Sequence, residues 1–154
     1  MKPNAIARQS GMMLLEALFG ILLFSIGIIA LVGMQTSAVK QSVESKYRSD
    51  ASMLASQLIG KLWASSHTFA TMSTLYNTGA IVNGNCGACA PDFNTWLSTV
   101  NTTLPAAATH PPTIAYTQLV AGSVPSTRVT ITLFWQSPGA DTTVHSYVTI
   151  AEFR

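Results

Sequence analysis

"RQSGMMLLEALFGILLFSIGIIALVGMQ", residues 8–35, holds a single carboxylate, Glu16, inside an otherwise uncharged apolar run. The run from Met12 to Met34 is 23 residues long and opens directly after a glycine, behind a short leader carrying Lys2 and Arg8. As a helix rising about 1.5 Å per residue it reaches roughly 35 Å, enough to cross the hydrocarbon core of a bilayer. It exceeds the roughly 7–15 apolar residues of an ordinary secretory signal. Basic residues stand on both sides, with Lys40, Lys46 and Arg48 following the run, so flanking charge alone sets no orientation.

Glu16 separates this run from a plain anchor. A carboxylate at the bilayer centre costs about 2.5–3.5 kcal/mol on insertion scales, and less near the interface. It lies one helical turn beyond Met12. Cleavage after Gly11 would give Met12 a new, positively charged α-amino group. The first turn of a helix also presents free N–H groups and the positive end of its dipole. Glu16 then has two candidate partners, its own terminus or that of a neighbouring helix. The alternative is an acid that snorkels to the interface.

The rest of the composition narrows the function classes. The chain has 154 residues, 48% apolar and 9% charged, with a formal net charge of +2. Without Lys2 and Arg8 the remaining acidic and basic side chains balance, six against six. Beyond Ala64 only Arg128 and Arg154 are basic. A nucleic-acid binder needs a basic patch to displace counterions, so no nucleic-acid partner is expected.

"SGMMLLEALFGILLFSIGIIALVGMQ" resembles the class III signal of type IV pilins: a glycine, a hydrophobic residue, three further apolar residues, a glutamate, then a long apolar helix. The following "SKYRSDASMLASQLIGKLWAS" is similar to the helix continuation of minor pilins of the PilV type. The resemblance covers residues 8–65. It implies that a prepilin peptidase cuts between Gly11 and Met12, that the Met12 amine is methylated, and that Glu16 aligns the incoming subunit on the terminus of a neighbour. It further implies a minor pilin held in the bacterial inner membrane by a single pass, with its head outside the cytoplasm. From there other pilin subunits and the inner-membrane assembly machinery take it into a pilus at the cell surface. This chain departs from the family in having Met12 where phenylalanine is frequent. It also lacks a proline between Met12 and Leu62, with Gly20, Gly27 and Gly33 in the span instead. Glycine is common in membrane helices, where it permits close approach.

The expected organisation is a leader over 1–11, a membrane or filament-core helix over 12–34, an amphipathic continuation over 35–65 and a globular head over 66–154. Val43, Tyr47, Ala51, Leu54, Leu58 and Leu62 recur at three- and four-residue spacings, one apolar stripe of a helix. Lys40, Glu44, Arg48 and Lys61 fall mostly off it, with Glu44 and Arg48 spaced for an i,i+4 pair. Trp63 and Met53 are assigned to the head core.

Residues 67–90 read as loop with a helical turn. "PDFNTWLSTVNTTL" predicts a short helix capped by Asp92 and buried through Phe93, Trp96, Leu97 and Val100. "TLPAAATHPPT", residues 103–113, reads as an exposed, proline-extended linker. Strands are predicted from Thr113, Arg128 and Val144. In the second, Val129, Ile131, Leu133 and Trp135 alternate with Thr130, Thr132 and Phe134, and "SPGAD" turns the chain into the third. The expected fold class is α+β, a long N-terminal helix packed on a small antiparallel sheet, which is the pilin-like layout that the resemblance implies.

Cys86 and Cys89 admit three readings. A redox pair calls for a helix N-terminus within a βαβ setting, which is absent here. A zinc site calls for a second pair of ligands, and His67, His110 and His145 stand at no metal spacing. A structural disulfide pinning a loop outside the reducing cytosol is the expected state. Neither metal nor cofactor is expected, nor an enzyme: no G-x-S-x-G elbow, acid pair or phosphate-binding glycine loop occurs. Asn101-Thr102-Thr103 matches a glycosylation triplet, a pattern frequent by chance. Tyr76, Trp96 and Phe134 are read as core rather than receptor contacts.

Three functions follow, in this order. The first is filament assembly as a minor pilin, with adhesion as a consequence and a type II secretion pseudopilin as the near alternative. The second is a membrane-anchored adhesive or binding module. The third is a tethered redox enzyme using the cysteine pair.

Overall fold

The computed structural model describes residues 10–65, 68–76, 81–82, 85–121, 124–139 and 142–154. Most of the leader, residues 1–9, lies outside them, as do His67, Asn83, Gly84, Ala140 and Asp141. The elements in chain order are α1 (Ser10–Ala64), α2 (Phe69–Leu75), β1 (Ile81–Val82), β2 (Asn85–Cys86), α3 (Pro91–Thr103), β3 (Thr113–Ala121), β4 (Val124–Gln136) and β5 (Val144–Phe153). The layout is α+β: a long apolar N-terminal helix and a small antiparallel sheet. By its contacts the chain divides into two units, residues 1–42 and 43–154.

In the first unit α1 presents the apolar run with its side chains uncovered. Met12, Leu14, Leu18, Ile21, Phe24 and Ile29 are all more than two-thirds exposed. One helix of the described residues is long and apolar enough to cross a membrane. The hydroxyl of Ser25 donates to the Ile21 carbonyl at 2.7 Å and that of Thr36 to the Val32 carbonyl at 3.0 Å. Such back-bonding satisfies a hydroxyl inside the helix itself, as an apolar surrounding demands.

In the second unit the remainder of α1 belongs to the head core, which therefore begins before residue 66. Ala51, Leu54, Ala55, Leu58 and Leu62 are fully or almost fully buried, as their spacing predicts. They join Val129, Ile131, Leu133 and Trp135 from alternate positions of β4. Each buried Leu, Ile or Val contributes roughly 1.5–3 kcal/mol. Trp63 and Met53 depart from expectation, being half exposed. Trp63 follows Leu62 by about 100° around the helix, so its ring lies at the rim, 4.8 Å from that of Phe153.

The helix stops at Ala64, where the Ser65 N–H bonds the Lys61 carbonyl at 3.1 Å. Thr68 then caps α2 by accepting from the Thr71 N–H at 3.3 Å. The cap of α3 also differs from expectation. Pro91 takes the first helical position, where its missing N–H is harmless, so the N-cap is Ala90 and has no side-chain bond. Asp92 stands in the first turn and accepts from the Tyr76 hydroxyl at 3.0 Å. Phe93, Trp96, Leu97 and Val100 are buried as predicted.

Residues 104–112 are not an exposed linker. Leu104 and Ala107 are 1% exposed, and the Gln136 N–H donates to the Pro105 carbonyl at 3.0 Å. These anchors hold a turn in which Ala106 adopts φ 61°. The sheet order is β3-β4-β5, antiparallel throughout. Pairing runs from Thr113 opposite Thr132 to Ala121 opposite Val124, and from Thr127 opposite Phe153 to Gln136 opposite Val144. Gly139, before β5, has φ 138°, a conformation that side chains rarely adopt.

Candidate functional site

The head of the apolar run is the first candidate. Gly11, Met12 and Glu16 all lie in the first turns of α1. Met12 is 81% exposed and Glu16 is exposed. Four residues separate them, a rise of about 6 Å, just over one turn. Between Met12 and Met34 the polar side chains are Glu16 and Ser25. Ser25 is satisfied by its own helix. Glu16 makes no hydrogen bond or ion pair among the described residues. Water, lipid headgroups, the terminus created by cleavage or another chain would answer a carboxylate so placed.

The glycines of the span point the same way. A β-carbon at Gly20, Gly27 or Gly33 would meet no atom of this chain within 4 Å. Their small size serves nothing in the chain's own packing. It leaves grooves that a neighbouring helix backbone could approach.

The cysteine loop is the second candidate. Cys86 and Cys89 are joined, with sulfurs 1.97 Å apart and Cα atoms 5.4 Å apart. Cys86 is fully buried beneath the loop. Asn94 of α3 clamps it twice, accepting from the Cys86 N–H at 3.0 Å and donating to its carbonyl at 2.8 Å. The Ala90 N–H donates to the Leu75 carbonyl at 3.0 Å, tying the same loop to the end of α2. The bridge braces the approach to α3. Among the described residues no group of three His, Cys, Asp or Glu is placed to hold a metal ion.

A polar cluster where α1 meets the sheet was not legible in the sequence. Glu44 Oε2 accepts from the Trp135 indole at 3.3 Å and from the Ser137 hydroxyl at 3.0 Å. Its Oε1 lies 3.2 Å from His145 Nδ1. The His145 ring stacks on Trp135, centroids 5.9 Å apart. Glu44 therefore turns to the sheet and not to Arg48. The available signal was its position three residues before Tyr47 and seven before Ala51, which continues the buried stripe. Ser137 donates to the carboxylate rather than to the imidazole, so the group lacks the hydroxyl–imidazole bond of a nucleophilic triad.

A tyrosine pair lies on the opposite flank. The Tyr116 hydroxyl donates to the Tyr76 carbonyl at 3.0 Å. Burial pushes the Tyr116 phenol well above its ordinary range, with Tyr76 adding to the effect. Burial also raises Tyr76, opposed by a hydrogen bond with Ser65 and reinforced by Asp92. Tyr76 and Trp96 are core residues. Asn101, of the glycosylation triplet, lies in the last turn of α3 and is half-buried.

Comparison with family models, with curated proteins and with solved structures finds no match for this chain.

Proposed function

We propose that this chain is a minor pilin of a type IV pilus. A prepilin peptidase removes the leader between Gly11 and Met12, and the new Met12 amine is methylated. The helix then waits in the bacterial inner membrane, head outside the cytoplasm, until the assembly machinery draws it into a bundle of pilin helices. The protein acts by assembly and not by catalysis, and any effect on adhesion follows from its place in the filament.

Glu16 carries this reading, as a carboxylate one turn beyond Met12 that has no partner among the described residues, in an otherwise apolar, uncovered helix. Alone in the membrane it costs up to about 2.5–3.5 kcal/mol. Opposite the Met12 amine of a neighbour it becomes half of an ion pair, and the helices lock in one axial register. The uncovered Leu, Ile and Phe side chains supply the packing surface, and Gly20, Gly27 and Gly33 the points of close approach. The disulfide accords with a head that folds outside the reducing cytosol.

The test is Glu16→Ala in a piliated bacterium. The variant should still be cut after Gly11, yet its recovery in sheared filaments should fall by about tenfold or more, the equivalent of 1.4 kcal/mol or above. Recovery equal to that of the unaltered chain would refute the pairing role.

A further inference from the structure

The three-stranded sheet has two edges, and the chain treats them differently. β3 forms one edge and follows directly on Pro111 and Pro112. The end of α2 reaches it, where the Tyr116 hydroxyl donates to the Tyr76 carbonyl at 3.0 Å. β5 forms the other edge and pairs with β4 alone among the described residues. Its ten residues, Val144–Phe153, include no proline, glycine or lysine. Its register on β4 runs unbroken from Val144 to Phe153, so no bulge bends it. Natural sheets guard a free edge with such residues, with bulges or with a cover, because its unpaired N–H and C=O groups are a template for another strand.

The exposed face of β5 carries no charge that would keep such a strand away. Val148 and Ile150 are 53% and 60% exposed, beside Thr132 and Thr130 of β4. Glu152 is answered within its own sheet by Arg128 at 2.7 Å. His145, on the other face, lies 3.2 Å from Glu44.

We propose that two copies of this chain pair through β5, antiparallel, joining their sheets edge to edge. The contact lies wholly within residues 43–154 and does not depend on the pilin reading. A second copy is the partner because the strand complements itself, as a two-fold contact requires. With Thr149 opposite Thr149 of the second copy, Val148 stands opposite its Ile150, and Ile150 opposite its Val148. Both are pairs of β-branched residues, which pack well across strands. Ser146 falls opposite Glu152 of the second copy. Arg128 holds Oε1 of that carboxylate, which leaves Oε2 to accept from the serine hydroxyl. No like charges face each other. Moving the register by two residues sets Ile150 against Ser146 in one direction and Val148 against Glu152 in the other, and either shift loses the matched pairs.

Disulfide trapping in membranes of a bacterium producing the full-length chain tests this. Thr149→Cys places one thiol directly opposite its counterpart, and Cys86 and Cys89 are already joined to each other. A mild oxidant should link the Thr149→Cys chains into a species of twice the mass, well above the yield from Thr117→Cys on the opposite edge strand. Adding Val148→Lys and Ile150→Lys sets lysine opposite lysine twice and should cut the trapping by about tenfold. Val148→Lys with Ile150→Glu sets opposite charges at the same places and should restore it, which excludes loss of the fold as the cause. Equal trapping at positions 149 and 117 would overturn the proposal. So would trapping indifferent to the paired lysines, which would mark association through the apolar helix, or a linked species that contains a different protein.

Discussion

The indole of Trp96 donates to the carbonyl of Leu54 across 2.8 Å of buried core. This bond joins α3 to α1 within the head, using a second lone pair on a carbonyl that already serves the helix. Trp96 is 1% exposed and stacks on Phe93 at 5.4 Å. Trp96→Phe keeps most of the apolar contact but removes the donor and part of the volume. The head should lose about 1–3 kcal/mol of stability, read as a lower denaturant midpoint at unchanged slope.

Glu44 tests which part of its cluster matters. His145 and Glu44 each have about a third of their side chain exposed, where screening leaves an ion pair worth little. The Trp135 indole is different, because Trp135 is 1% exposed and its donor has nowhere else to turn. Glu44→Ala should therefore cost about 1–3 kcal/mol. Glu44→Gln retains an acceptor and should cost about 1 kcal/mol or less. Equal losses in the two variants, with strong salt dependence in the unaltered protein, would assign the stabilisation to charge. Thermal unfolding at low and high salt reads the difference.

Much of the head was legible from local pattern. The stripe of Ala51, Leu54, Leu58 and Leu62 and the alternation of Val129, Ile131, Leu133 and Trp135 are periodic, and burial follows period directly. Asp92 was misplaced because two local rules compete, and the preference of Pro91 for the first helical position outweighs a capping aspartate one residue later. The turn at residues 104–112 looked like a linker because what holds it is Gln136, a strand residue far along the chain. Glu44 likewise finds its partners at positions 135, 137 and 145. The pairing of Gln118 with Thr127, and of Thr127 with Phe153, depends on sheet register, which alternation alone leaves open by two-residue steps.

The tyrosine pair predicts a response to alkali. Burial raises the folded-state value of Tyr116 above its unfolded value of about 10. A raised folded value means that the unfolded state releases its proton first. The contribution is thus fully present below about pH 10 and is lost as pH rises above it. Tyr76 acts in the same direction. Tyr116→Phe should cost about 1 kcal/mol at neutral pH through the lost bond to the Tyr76 carbonyl. Above pH 10 it should flatten the decline. Urea unfolding across pH 8–11 checks both.

The proposed cleavage after Gly11 is read by intact-mass and terminal-peptide mass spectrometry on protein purified from membranes of a bacterium with active prepilin peptidase. The expected product is a chain that begins at Met12 and carries one added methyl group on its amine. A chain that retains Gly11 and the leader in such cells would contradict it and reduce the apolar helix to a plain anchor.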